Sequence, residues 1–360
     1  MKKKILAMCL VSAMMASLAG CGSSSSSSST TAAATTAAAT EAAAAAETQA
    51  AAEAPAAPDK VYELKVSTTQ TDTSMIYQGL KAAADKVAED TNGGVKITIY
   101  PSSQLGGEED MIDQALQGMG IAVLTDAGRL SSYVYDIGIL NMAYIVDNYE
   151  DGLKLLDTAT AKDWDSQLQQ AGIRVLAYNY YDGARSFMGH AAWTKPEDLK
   201  GVVTRTPGAD PYNESIKAMG ATPYNIAWSE VYNSIQTKAI DACEVQYTSA
   251  VSSAIYEVCE YVSKTEHINL FNMLICGETW FNQLPAEYQQ IMLDDFYSCA
   301  YDNAMDIVDA QADMEQTLID NGMEIVEVDK DAFKEAAKSA YDVLGWTDLR
   351  AALYEEAGLN

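Results

Sequence analysis

From Tyr62 onward the apolar residues keep changing period, and this alternation limits the fold more than any other feature of the chain. Tyr62, Leu64 and Val66 alternate as a strand, whereas Ile76, Leu80, Ala83 and Val87 share one face of a helix that Asn92-Gly93-Gly94 stops. Val95, Ile97 and Ile99 make the next strand, ended by Pro101. The spacing then predicts a helix over 108–117 with acids in its first turn, a short buried strand over 121–124, a helix from Asp151 to Ala171 closed by Gly172, and a strand over 173–180. Beyond these it predicts a helix start at Thr194 with the threonine as N-cap, a strand over 202–206, a helix over 212–219 followed by Gly220, a helix over 230–237 capped by Ser229, and a strand over 240–245. Such alternation points to the α/β class, with mostly parallel sheets covered by helices on both faces. About ten strands in residues 59–360 fit two sheets more comfortably than one.

Residues 286–321 run without Pro or Gly until Gly322 ends them. A helix of that length measures about 54 Å, more than one small domain spans. It is either a helix bridging two lobes or a kinked pair. Met323 to Val328 reads as a strand and Asp331 to Leu344 as a helix.

The first 58 residues are of another kind. Lys2, Lys3 and Lys4 precede an apolar run from Ile5 to Leu18 that is too short to cross a bilayer as a mature helix, so residues 1–20 read as a secretory signal peptide. The ending Leu18-Ala19-Gly20-Cys21 resembles the bacterial lipobox, in which the cysteine becomes the acylated first residue after cleavage. Acyl chains such as palmitate on Cys21 would hold the protein at the extracytoplasmic face of the cell membrane. Residues 21–58, nearly all Ala, Ser and Thr, have nothing with which to bury a core and read as a disordered tether spanning about 35 Å.

Charge narrows the partners. The chain has 23 Lys and Arg against 51 Asp and Glu, a net −28. The first 58 residues hold three of each sign, so the excess belongs entirely to the folded part. A surface this acidic repels phosphate backbones, and nucleic acid is excluded as a partner. The two histidines, His190 and His267, stand in no zinc-type spacing, so no metal, no cofactor and no histidine-centred catalysis is expected. Both read as structural or exposed. Cys243, Cys259, Cys276 and Cys299 either pair as two disulfides, in one of three ways, or stay reduced. A hydrolase would need a Gly-x-Ser-x-Gly elbow, a His-Glu-x-x-His pair or a supported Ser-x-x-Lys, and none occurs in a fitting context, so the chain does not read as an enzyme.

A binding site in open parallel sheets lies beyond the carboxyl ends of the strands. Arg185 follows the strand at 173–180, Arg205 sits near the end of the strand at 202–206, and Glu244 and Gln246 lie at the end of the strand at 240–245. Arginine grips a carboxylate with two parallel charge-assisted hydrogen bonds. The alternative for each Arg is an ordinary ion pair with one of the many acids. Tyr178, Tyr180, Tyr181 and Trp193 either line a pocket or pack, and packing is the expectation. Asp126 and Gln70 complete the candidate set.

Several ordered stretches resemble the solute-binding proteins of TRAP transporters, the DctP (dicarboxylate-binding) family. They are Gln104-Leu105-Gly106, Gly172-Ile173-Arg174-Val175, Gly183-Ala184-Arg185, Lys195-Pro196-Glu197-Asp198-Leu199-Lys200-Gly201, Arg205-Thr206-Pro207, Met219-Gly220-Ala221-Thr222-Pro223, Trp228-Ser229-Glu230-Val231-Tyr232 and Leu284-Pro285. The resemblance implies a two-lobed Venus-flytrap protein of periplasmic-binding type, lobe 1 being 59–182 plus about 271–310 and lobe 2 being 183–270 plus about 311–360. It implies a carboxylate clamp at Arg205, a second arginine at Arg185, an aromatic cover at Trp228, and delivery of an organic acid to ion-driven membrane subunits. Feeding an ATP-driven transporter or a membrane sensor is the alternative. Where the family often reads Asp-Gly-Gln-Glu-Asn-Pro, this chain has Asp241-Ala242-Cys243-Glu244-Val245-Gln246. Val245 removes one polar ligand contact, which points away from an ordinary C4-dicarboxylate and toward a larger or less polar acid.

Overall fold

In the computed structural model the described residues are 60–359, so the signal peptide, Cys21 and the tether fall outside them. The chain begins as the alternation predicts. Strands β1 (Tyr62–Ser67), β2 (Val95–Tyr100) and β3 (Ile121–Asp126) lie parallel in the order β2-β1-β3, joined by the helices Met75–Asp90 and Glu108–Leu116. Ser74 caps the first helix by accepting from the Tyr77 amide, and Ile76, Leu80, Ala83 and Val87 are its buried face. Asn92 and Gly93, both at positive φ, turn the chain out of it.

Two strands of 17 residues each, β4 (Ile173–Gly189) and β8 (Tyr261–Gly277), then determine the architecture. They run antiparallel to one another through the whole molecule. The end of β8 pairs with β3, from Asp126 opposite Asn272 to Ala122 opposite Cys276. The end of β4 pairs with β7 (Ala242–Gln246), which continues in parallel through β5 (Val203–Thr206) to β6 (Thr222–Asn225). A short β9 (Glu324–Val326) flanks the start of β8. The expectation of two separate sheets is therefore corrected: nine strands form one hydrogen-bonded sheet, eight of them in a continuous path with β9 beside β8, because two strands belong to both halves. The ladder between them is irregular where the halves meet, with register shifts between Tyr181 and Ala184 and between Arg185 and Phe187. Gly183 (φ 96°) and Glu266 (φ 46°) occupy left-handed backbone at that crossing.

Other expectations shift for local reasons. The strand expected to end at Tyr180 runs on to Gly189, so Arg185 lies inside β4 and not beyond it. The helix expected over 151–171 is two, Tyr149–Leu156 and Ala159–Gln170, because Thr158 accepts from the Ala161 amide and caps the second. Thr194 starts only a 3-10 turn, Pro196–Leu199, in which Asp198 accepts from the Thr194 and Lys195 amides. Ser229 is not a cap, since Trp228 is already the first residue of the helix Trp228–Gln236. The four cysteines are free thiols, Cys243, Cys259 and Cys276 being buried. Tyr180, Tyr181 and Trp193 pack in the core.

The long C-terminal segment is one continuous helix, Ala286–Asp320. It lies along β4 and against the helix Met75–Asp90, and reaches the helix Tyr247–Ser252 of the other half. Asn303 on it donates to the Met75 carbonyl at 2.9 Å, over Gly79, where a Cβ would collide with the asparagine. Among the described residues no helix is long and apolar enough to cross a membrane.

Gly277 ends β8 against the helix Glu108–Leu116, and a Cβ there would stand 1.9 Å from the Ala115 carbonyl oxygen. Backbone cannot yield as a side-chain tip can, so Gly277→Ala should cost on the order of 1–3 kcal/mol. A lower melting temperature by circular dichroism is expected, and an unchanged one would show that this helix does not press on the strand.

Candidate functional site

The carboxyl ends of the parallel strands face one another across the crossing of β4 and β8, and a small cavity, partly open to solvent, lies between them. The chain past β1 brings Thr69 and Gln70, the end of β3 brings Asp126, and β5 brings Arg205. The chain past β6 brings Trp228, and the end of β7 brings Gln246. Six of the seven ligand candidates, Arg205, Arg185, Trp228, Gln246, Asp126 and Gln70, thus share one wall. Glu244 does not reach it and lies fully buried behind Arg185.

Three arginines line the cavity, and two are already neutralised. Arg129 meets Glu108 at 3.3 Å, Glu109 at 2.9 Å and Asp126 at 3.1 Å. Arg185 holds Glu244 through Nε and Nη2, the latter 2.6 Å from Oε1, and donates to the Glu244 carbonyl at 2.7 Å. Burial alone would raise the Glu244 carboxyl, but Arg185 and then His267 hold it below the usual carboxylate range. His267 is fully buried, its pKa pushed down by desolvation, with Nδ1 2.8 Å from the Thr265 hydroxyl.

Arg205 is different. It is 4% exposed, its Nε donates to the Ile226 carbonyl at 3.1 Å, and its guanidinium carbon lies 5.4 Å from the centre of the Trp228 ring. No carboxylate among the described residues pairs with it. Burial, together with the nearby Arg185 cation, pushes its pKa down to about 10, so it remains charged at neutral pH without a counter-charge. A buried, unpaired cation costs several kcal/mol, and an anion entering beside it removes that cost. Asn272 on β8 supplies a second vacant donor: it is 8% exposed, lines the same cavity, and its Nδ2 has no partner among the described residues.

Asp182, in the middle of β4, accepts from Gln70 Nε2 of one half at 2.9 Å and from Gln246 and Thr248 of the other. Burial raises it to about 6, against the pull of the Thr248 and Gln246 hydrogen bonds and the Arg185 charge. The sequence reading missed Asp182, Asn272, Arg129 and Glu108. Asp182 and Asn272 carried a signal, each being a polar residue inside a long apolar run. Arg129 and Glu108 carried none, because their meeting depends on how the start of the helix Glu108–Leu116 packs against the short helix Ala127–Leu130.

A model of the bacterial extracellular solute-binding proteins, family 7 (DctP), matches residues 66–345. A solute-binding protein of Chromohalobacter salexigens is 29% identical over 268 residues, 74% of this chain and 79% of its own. The sialic acid-binding periplasmic protein SiaP of Vibrio cholerae is 24% identical over 289 residues, 80% of this chain and 90% of its own. Among solved structures, a TRAP periplasmic solute-binding protein of Ochrobacterium anthropi with bound L-fuconate superposes with a TM-score of 0.80 at 25% identity, covering 82% of this chain and 99% of that one. One from Actinobacillus succinogenes with bound L-galactonate gives 0.79 at 28% identity, with coverage of 82% and 99%. These likenesses carry the two-domain α/β architecture with its sheet flanked by helices and its long helix near the C terminus.

Because Asp182 titrates near 6, the cavity carries one negative charge more above that pH than below it. An acid that itself stays ionised should therefore bind more tightly, by roughly threefold or more, as pH falls from about 7.5 to about 5. Isothermal titration across this range checks it, and Asp182→Asn should flatten the profile.

Proposed function

Because the chain belongs to family 7 of the bacterial extracellular solute-binding proteins, we propose that its cavity takes the carboxylate of an organic acid onto Arg205 and that the loaded protein hands this solute to a TRAP-type, ion-driven transporter. The family is one of binding proteins for transport and not of enzymes. The observation that carries the reading is the buried guanidinium of Arg205, the one arginine on the cavity wall without a carboxylate. The relatives with bound fuconate and galactonate favour this partner over an ATP-driven transporter or a sensor.

Arg205 is pre-oriented by the Ile226 carbonyl and approaches the solute with its two terminal nitrogens, while Trp228 covers the solute's body. Asn272 adds a neutral donor. Arg185 contributes positive potential and holds Gln246, whose Oε1 lies 3.3 Å from its Nη1, and Glu244 acts through Arg185. Lobe 1, 59–182 with about 271–310, closes on lobe 2, 183–270 with about 311–360. The left-handed backbone at Gly183 and Glu266 and the broken register beside them support bending at that crossing. Micromolar affinity needs about −8 kcal/mol, of which a desolvated arginine–carboxylate pair supplies about 2–5. Outside the described residues, we propose that residues 1–20 are removed, that Cys21 is acylated, with palmitate among its chains, and that residues 21–58 tether the domain to the outer face of the cell membrane.

Arg205→Ala should weaken organic-acid binding by more than thirtyfold, the lower end of that 2–5 kcal/mol, while the unliganded melting temperature holds or rises, since an unpaired cation is removed. Undiminished affinity by isothermal titration would show that another group holds the carboxylate. Cys21→Ser should shift the protein from the membrane fraction to the soluble or unprocessed pool on fractionation, and continued membrane recovery would refute the anchor.

A further inference from the structure

The helix Asp210–Ala218 follows β5 closely, with Pro211 in its first turn, and its buried face is Pro211, Tyr212, Ser215 and Ile216. Tyr212 is 1% exposed and lines the cavity. Its ring lies against the Arg185 guanidinium, whose carbon is 5.3 Å from the ring centre. The edge donors of Arg185 are committed to Glu244 and Gln246, both on β7 of its own half. The Tyr212 ring supports the face of the guanidinium.

Tyr212 is itself held from the other half. The 3-10 helix Tyr135–Asn141, which comes after β3, brings Asn141 to it. Asn141 Nδ2 donates to the Tyr212 hydroxyl at 2.9 Å, and its Oδ1 accepts from the Gly128 amide at 3.0 Å. Gly128 borders the ring: a Cβ there would stand 2.6 Å from Tyr212 Cε2 and 2.8 Å from Asp126 Oδ1, so glycine is what lets the ring lie this close. The seam continues on either side. Ser215 Oγ accepts from the Ala143 amide at 3.1 Å, and Arg129 Nη2 donates to the Pro207 carbonyl at 3.4 Å. A ring that merely filled this space would call for phenylalanine. The buried hydroxyl–amide pair instead makes its position depend on a residue across the seam.

We infer that Tyr212 is a positioning residue for solute binding: the first half, acting through Asn141 and Gly128, sets the ring that fixes Arg185, so this cation keeps its place on the cavity wall while the halves are together. The inference rests on the carboxylate reading of Arg205 and deepens it. Arg205 is oriented within its own half, by the Ile226 carbonyl, and can meet the solute before the seam forms. Arg185 is steadied from both halves, on its edge by Glu244 and on its face by Tyr212. The contribution of Tyr212 therefore falls on the escape of a bound solute and not on its capture.

Stopped-flow tryptophan fluorescence of the chain with L-galactonate, L-fuconate and acetate as probes tests this. Tyr212→Phe keeps the ring and loses the bond to Asn141, and Asn141→Ala removes the same bond from the other side. Each should raise the dissociation rate by about two- to tenfold, the measure of one buried neutral hydrogen bond, and change the association rate by less than about twofold. The double variant should be no worse than the poorer single one. In the probe-saturated chain the Arg185 Nε proton resonance, assigned by its loss in Arg185→Lys, should move in Tyr212→Leu as the ring current disappears, and should move in the same direction in Tyr212→Phe and Asn141→Ala. A space-filling tyrosine would lower the melting temperature without this kinetic asymmetry. Additive effects of the two single substitutions, an unchanged dissociation rate in both, or an Arg185 resonance that both leave in place would overturn the proposal while leaving the carboxylate reading intact. Failure of all three probes to bind, or binding that survives Arg205→Ala undiminished, would instead bring down the carboxylate reading and this inference with it.

Discussion

The structure is arranged around a cation left without a partner. In a chain of net charge −28, Arg129 pairs with three acids and Arg185 with one, and yet among the described residues Arg205 pairs with none. The separation is achieved by committing the nearby carboxylates elsewhere: Glu108, Glu109 and Asp126 to Arg129, and Glu244 to Arg185. Asp182 is satisfied by two amides and a hydroxyl. A low-dielectric cleft makes the remaining charge a strong attractor for an anion, and the same burial would make it a liability in the empty protein. An acidic exterior and an anion-binding interior are therefore compatible, because each acid close enough to quench Arg205 is held by another donor.

Topology makes this placement available. Parallel strands in each half direct their carboxyl ends to a common region, so short loops deliver Gln70, Asp126, Trp228 and Gln246 to one place from distant parts of the chain. The two shared strands, β4 and β8, join the halves by continuous backbone. Their ladder shifts register four times between Val175 and Phe187, so the irregularity runs from the first half through the crossing. Asp182 stands at this crossing and is bonded from both sides, by Gln70 and by Gln246 and Thr248, so the relative position of the halves and the polarity of the cavity floor are set by the same carboxylate. The helix Ala286–Asp320 packs along β4 and on elements of both halves.

Much of this was legible in the residues. The helix face Ile76, Leu80, Ala83, Val87 and the long Pro- and Gly-free segment at 286–321 depend on local periodicity, and they appear where that periodicity places them. Arg205 and Trp228 were found because motif order carries information that single residues lack, and both line the cavity. What failed, failed for identifiable reasons. A single helix over 151–171 overlooked the competing cap at Thr158. The strand expected to stop at Tyr180 continues because Gly183 accommodates an irregularity without ending it, and this carries Arg185 into β4 opposite Gln246.

The amino-acid sequence by itself determined the α/β class, the acidity of the folded part and the place of Arg205 near a strand end, since each of these follows from local pattern, composition or motif order. Only the tertiary structure decided that the two halves share one sheet, that Glu244 stands behind Arg185 instead of at the wall, and that Asp182 and Asn272 join the cavity wall. Those outcomes depend on which distant side chains share a dry space, and pairing across more than a hundred residues, as between Gln70 and Asp182, leaves no trace in local spacing.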